Sequence, residues 1–384
     1  MLFLDVVGAA GRELRLTDKF FEINWGLILL LCIIAGLGFA MLYSVAGGRI
    51  DPWAYRQAIR FAIGMSLLLV VALIDIRLWF KLAYPAFGLA LILLIGIEFF
   101  GVSSMGAQRW IRVGPIQIQP SEIMKIAMVL ALARYFHGTS LDQVSRPLYL
   151  LPPILFIAIP VSLVLGQPDL GTAALLLLGG IGMLFLAGLK WRVFAVSGIL
   201  GLFAAPVVWQ FLYDYQKDRI FTFLDPTRDP LGAGYNIIQS KIALGSGGVF
   251  GKGFGDGSQS RLNFLPEKHT DFIFTTLGEE LGLVGACFLL SMYFLVLGYA
   301  VSIALESRNH FGRLLAMGIS LTFFLYVVIN AAMVMGLVPV VGVPLPLVSY
   351  GGTAMVTLMF GFGLLMSVHI HRNVDVPRSS VALW

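Results

Sequence analysis

The chain has 384 residues, 58% of them hydrophobic and 12% charged, and 26 Lys and Arg against 21 Asp and Glu give a formal net charge of +5. Soluble domains carry about 25% charged residues, so the composition excludes a water-soluble globular domain; the apolar segments are long and repeated, which defines an all-α, polytopic membrane protein. The two cysteines, Cys32 and Cys287, both fall inside apolar runs, so neither a disulfide framework nor a metal-ligand spacing is present.

Taken in order, the first 25 residues carry Glu13, Lys19 and Glu22 and lack the apolar core of a signal peptide, so a soluble tail is expected. Spans of about 17–25 apolar residues then predict ten transmembrane helices. Their approximate limits are 26–47, 58–75, 80–100, 120–136, 149–166, 170–189, 193–212, 271–303, 313–336 and 347–369. Pro120, Pro152, Pro153 and Pro160 punctuate the fourth and fifth, which membrane helices tolerate when neighbours satisfy the freed carbonyls. With the N-terminus inside, thirteen Lys and Arg lie on the inner side and six on the outer, the 213–270 segment left out. That bias places both termini in the cytoplasm and the long segment between helices 7 and 8 outside.

The 213–270 segment is more than a linker. Tyr235, Ile237, Ile238, Ile242 and Leu244 have a helical spacing that suits a short helix lying in the membrane interface. Two glycine clusters follow, Gly245–Gly248 and Gly251–Gly257, expected as a mobile or tightly turned strip. With no internal repeat to divide it, the chain reads as one membrane domain, 26–370, between tails at 1–25 and 371–384.

Ionisable residues gather at the helix ends placed outside, while the inner halves of the helices are almost pure hydrocarbon. This asymmetry points to chemistry or binding at the outer surface. Arg109 and Arg112 flank Trp110, itself an interface anchor or a substrate platform. Glu122 and Lys125 open the fourth helix on one face, either as an ion pair or as ligands. Asp169 either caps the sixth helix or serves the site. Ser349 to Thr353 open the last helix, where Pro and Gly either break it or expose N–H groups to an anion. Around Asp271 the stretch RLNFLPEKHTDFIFTTLGEELGLVG adds Glu267, Lys268 and His269, with Glu279 about two turns below. Helical counting puts Asp271, Thr275, Gly278, Glu279 and Gly282 on one face and Glu280 on the opposite one. A carboxylate heading a polar, small-residue face is the signature of a wet cleft, and intramembrane charges are functional by default.

GAQRWI with QPSEIMKIA, QPDLGTA, DPLGAGYNIIQSKIALGSGG, FLPEKHTDFIF with GEELGLVG, and PVVGVPLPLVSYGG together resemble the SEDS family (shape, elongation, division and sporulation), its elongation branch more than its division branch. The resemblance covers all ten helices. It implies a peptidoglycan glycosyltransferase that joins lipid II disaccharides into glycan strands on the outer side of the bacterial cytoplasmic membrane. It also implies a class B penicillin-binding protein as transpeptidase partner and an elongation complex containing MreC and MreD. On this resemblance Asp271 is the essential acid, while Arg109, Glu122, Lys125, Asp169 and Ser349 are cavity residues; Lys268 and His269 join them as substrate-binding candidates. The chemistry then asks for a base on the acceptor hydroxyl, met by a partly desolvated Asp271. The departing diphosphate asks for positive charge from Arg109, Lys125 or a divalent cation, Mg2+ or Mn2+. A rival with the same helix count is a lipid II flippase, which needs polar surface reachable from both leaflets.

Overall fold

The computed structural model describes residues 15–376 apart from 105, 106, 115, 141–143, 145, 230, 231, 263 and 266. The tails at 1–14 and 377–384 lie outside the described residues. Many helix starts are written in short polar side chains and prolines. Asn24, Asp75, Asp169 and Asn309 each accept an N–H from the first turn that follows, and Pro120 and Pro147 sit where a helix needs no N–H. After a short α1 (Leu16–Phe21) come α2 (Trp25–Val45), α3 (Ala54–Leu73) and α4 (Ile76–Phe100). Next are α5 (Pro120–His137), α6 (Pro147–Gly166), α7 (Leu170–Leu186) and α8 (Trp191–Phe211). The 213–270 segment holds α9 (Asp214–Leu224), α10 (Ala233–Ser246) and α11 (Ser258–Arg261), and the chain ends with α12 (Ile273–Glu306), α13 (His310–Val334) and α14 (Gly352–Ile370).

The ten long helices fall where the apolar runs predict them, and this is a multi-pass membrane protein. Among the described residues seven are long and apolar enough on their own to span a bilayer; Leu170–Leu186 and Trp191–Val207 are apolar but shorter. The tenth is α5, which carries Glu122, Lys125 and Arg134 and is nonetheless buried along most of its length. It runs through the middle of the bundle beside α13, with α4, α7 and α14 around it. By contrast α8 lies at the periphery, with Leu200, Leu202 and Phe203 turned outward.

Three features depart from the sequence reading. Between α4 and α5 the chain forms a three-stranded antiparallel sheet, β1 (Val102–Ser104), β2 (Ala107–Val113) and β3 (Ile116–Ile118), which carries Arg109 and Trp110 on its middle strand. The helix expected to float in the interface is real, but its Ile237, Ser240 and Ala243 are buried in protein. Ser240 bonds both Thr275 on α12 and the Val334 carbonyl on α13, so this face of α10 packs on the bundle, while Ile242 of the apolar stripe stays exposed. Finally, α12 is broken at Gly282, whose φ of 66° and ψ of −164° are not helical. The broken turn frees the carbonyls of Glu279 and Glu280 and the N–H groups of Leu283 and Val284; the glycine strip supplies partners for all four, through Lys252, Gly253, Gly248 and Val249. The strip is therefore tightly turned. Glu279 and Glu280 are spent there too, on Lys252, Ser258 and Gln259, and on Ser44 and Gly255.

Candidate active site

At the end of the bundle that carries the sheet and the 213–270 segment, a cavity of about 190 Å³ opens among β2, α5, α7, α13 and the start of α14. Its lining includes Arg109, Glu122, Lys125, Asp169, Asp271 and Tyr326. Of the polar face counted on a continuous helix only Asp271 reaches this space. Thr275 turns to Ser240 and Glu279 to the glycine strip, because the helix starts at Ile273 and the strip packs against its first turns.

Asp271 is held by its main chain and left open at its side chain. Its carbonyl accepts from Asn330 Nδ2 at 2.8 Å, while among the described residues no hydrogen bond reaches its carboxylate. Opposite Oδ2 lies Gly342, with φ of +70°; a Cβ there would stand 3.3 Å from the carboxylate oxygen, so glycine both allows the turn and keeps the space clear. Burial raises the Asp271 pKa to about 6, with Glu267 and Asp169 pushing the same way and Arg109 and Arg219 pulling back. Near neutral pH such a group is mostly ionised and still basic.

Across the cavity the charges are paired. Arg109 donates through Nε to the Gln167 carbonyl at 3.3 Å and through a terminal nitrogen to the Pro168 carbonyl, and stands 3.9 Å from Asp169. It keeps 29% of its side chain exposed, which leaves donors for a ligand. Asp169 is the cap of α7 and a wall of the cavity at once, accepting from Thr172 N, Thr172 Oγ1 and Gln119 Nε2. Deeper in, Lys125 Nζ donates to Glu122 Oε1 at 2.6 Å and to the Tyr326 hydroxyl, which in turn donates to Glu122 Oε2 at 2.6 Å. All three are buried, and they close a neutral ring.

The remaining candidates lie behind the cavity wall. Ser349 spends its hydroxyl on the backbone, donating to the Thr270 carbonyl at 2.6 Å and accepting from Leu345 N at 2.7 Å. His269 stacks on Trp53, with ring centroids 4.6 Å apart, and burial lowers its pKa; burial also lowers that of Lys268. Neither borders the cavity. Sequence reasoning passed over Tyr326, Gln119 and Thr172 as lining residues. Tyr326 left one signal, its four-residue spacing from Asn330 inside an apolar run, which puts two polar tips on one face of α13.

A family model described as cell cycle protein, FtsW/RodA/SpoVE, matches residues 24–374. The chain belongs to this family, the SEDS family. Among curated relatives it is 46% identical over 352 residues to the peptidoglycan glycosyltransferase MrdB of Escherichia coli K12, covering 90% of this chain and 94% of that one. It is 39% identical over 363 residues to the probable peptidoglycan glycosyltransferase FtsW of Trichlorobacter lovleyi, covering 90% and 93%. Among solved structures, a chain from a peptidoglycan synthase complex that coordinates polymerization and crosslinking superposes with a TM-score of 0.81 at 34% identity, over 92% of this chain and 99% of that one. The rod shape determining protein RodA of Thermus thermophilus gives 0.69 at 32% identity, over 92% and 98%. The SEDS chain thus resembles the RodA type more than the FtsW type, as its motifs indicated.

Proposed function

We propose that this SEDS chain is the peptidoglycan glycosyltransferase of cell-wall elongation and rod shape, and that it polymerises lipid II in the cavity with Asp271 as general base. The activity rests on family membership; the site assignment rests on one observation, an unbonded carboxylate with a raised pKa facing a cavity whose opposite wall holds a partly exposed Arg109. Ionised Asp271 takes the proton of the acceptor sugar hydroxyl as that oxygen attacks the anomeric carbon. The bond from that carbon to the diphosphate oxygen breaks and the lipid diphosphate leaves with its electron pair. One base and one displaced leaving group give inversion, from an α-linked donor to a β-linked product. Arg109 meets the leaving charge with a planar fork suited to phosphate. Lys125 acts only as a member of its ring with Glu122 and Tyr326.

Among the described residues no three His, Cys, Asp or Glu side chains converge to hold a metal ion. Asp169 and Glu122 are committed to other partners, so Asp271 is the carboxylate that would hold Mg2+ or Mn2+, and the cation would supply neutralising charge for the leaving diphosphate. No step above is routed through it. The charge bias of the connections supports a cytoplasmic-membrane protein with both termini inside and the cavity outside. The complex that supplies the superposing chain, which couples polymerization to crosslinking, supports pairing with a class B penicillin-binding protein; the further assembly with MreC and MreD rests on the resemblance to the elongation branch alone.

Flipping of lipid II fits less well. The deepest lining residues, Lys125 and Tyr326, lie roughly 8–12 Å below the ends of their helices, counting 1.5 Å per residue. The deciding experiment is polymerisation by purified protein in detergent, where there is no second leaflet to reach. Wild type is expected to make glycan from lipid II, alone or with its partner, and Asp271→Asn to make none. A folded Asp271→Asn at full rate removes the base, and a chelator arm reads the cation.

A further inference from the structure

Three consecutive carbonyls in front of α12 are all held by residues that come later in the chain. The carbonyl of His269 accepts from Tyr350 N at 2.9 Å, that of Thr270 from Ser349 Oγ at 2.6 Å, and that of Asp271 from Asn330 Nδ2 at 2.8 Å. Side chains make two of these bonds, and neither side chain is on the helix that Asp271 introduces. Asn330 belongs to α13 and Ser349 to the loop that leads into α14.

Asn330 is the centre of the arrangement. It is fully buried, and its second N–H goes to the Val343 carbonyl at 2.7 Å, so one amide group ties the Asp271 strand to the residue beside Gly342. Gly342 in turn faces the Asp271 carboxylate oxygen. The loop is pinned independently from two further helices: Gln57 on α3 donates to the Ser349 carbonyl and Tyr293 on α12 to the Pro346 carbonyl, both at 2.7 Å. Among the described residues, Asn330 Oδ1 is buried without a partner. A buried acceptor left unbonded destabilises the fold, a cost that a leucine of similar size would avoid. Leucine could donate to neither carbonyl.

We infer that Asn330 is a positioning residue for the reaction: its amide fixes the Asp271 backbone to the wall opposite the carboxylate and so sets where the base stands in the cavity. This rests on the reading of Asp271 as base. A misplacement of about 1 Å far from the reacting atoms is enough to cost about 100-fold in rate, and nothing else from α13 holds the Asp271 carbonyl among the described residues. Ser349 supports the same strand one residue earlier.

The test uses purified full-length protein with lipid II, in the presence of the partner if the enzyme needs it. It compares wild type, Asp271→Asn, Asn330→Leu and Ser349→Ala. Asn330→Leu is expected to lower kcat per folded molecule 10- to 100-fold, with KM within about threefold. The acid limb of its kcat–pH profile should also move away from the wild-type position, because the carboxylate changes surroundings. Ser349→Ala should do the same more weakly, and it carries the test if Asn330→Leu does not fold. A purely structural asparagine would lower Tm while leaving kcat per folded molecule and the acid limb unchanged, and that result overturns the inference. An active Asp271→Asn instead overturns the base itself. An inactive Asp271→Asn beside a fully active Asn330→Leu overturns only the positioning role.

Discussion

A carboxylate with a pKa of about 6 in the folded state is ionised at neutral pH at a cost to the fold, because the same group in the unfolded chain titrates near 3.8. The folded state then binds this proton more tightly, so the group's stabilising contribution is complete below about pH 4 and is lost as pH rises through 6. Asp271→Asn is therefore expected to abolish polymerisation and at the same time to stabilise the fold at pH 7–8 by up to about 3 kcal/mol, read as a higher Tm. The gain should vanish near pH 4. Melting curves of wild type and variant across that range check it, and a variant less stable than wild type at pH 8 contradicts the raised pKa. Activity in the wild type should fall below pH 6 as the base protonates. Lys125 behaves in the opposite way. Its ammonium is buried in the ring with Glu122 and Tyr326, so Lys125→Ala strands a buried carboxylate and should cost about 3–5 kcal/mol. The pair Glu122→Gln with Lys125→Met, which removes both charges, should recover most of that stability. If Lys125→Ala melts like wild type but uses lipid II poorly, the lysine belongs to substrate and not to the ring.

At the scale of elements, the break in α12 and the glycine strip are one construction. The strip's backbone replaces the hydrogen bonds that a continuous helix would make around Gly282, and a Cβ on Gly282 would collide with Gly251 N and Val249 O. With φ of 66° and ψ of −164° the position is open essentially to glycine alone. Gly282→Ala is expected to lose at least about 1–3 kcal/mol through backbone strain. Gly36→Ala, in the middle of α2 where a Cβ meets nothing within 4 Å, should be neutral or stabilising; comparable melting temperatures for the two variants would contradict this reading of the break. The long helices were legible because a bilayer demands apolar runs of a fixed length whatever their packing. The sheet was not, since strands as short as Val102–Ser104 and Ile116–Ile118 offer barely one alternation of side chains. Asp271, Arg109, Glu122, Lys125 and Asp169 were legible as charges beside hydrocarbon, where each needs a reason. Tyr326 and Asn330 were not, because a buried hydroxyl or amide declares its partner only once distant helices are packed together.

For the molecule as a whole, the two ends of the bundle do different work. The cavity end gathers the charged side chains of Arg109, Asp169 and Asp271; the other end is tied by residues 371–376, which cross several helix ends. Arg372 pairs with Glu22 at 2.7 Å, its carbonyl accepts from Arg308 N, the Val374 carbonyl accepts from Asn309 Nδ2, and the Val376 carbonyl meets His137 Nε2 at 3.0 Å. His137 Nδ1 already accepts from Phe311 N, which leaves the proton on Nε2 to donate to that strap. From Gly352 at the cavity to Ile370 at the strap is a helix of 19 residues, about 28 Å at 1.5 Å per residue. Effects at sites more than about 10 Å apart that share no partner add. A stop codon placed after Ile370 should therefore lower Tm while leaving kcat and KM per folded molecule unchanged. Combined with Asp271→Asn, it should give a Tm change equal to the sum of the two single changes. A truncated protein that folds but polymerises slowly, or a double variant whose Tm departs from the sum, would mean that the strap and the base communicate along α14, and that the bundle is one coupled unit and not two separable ends.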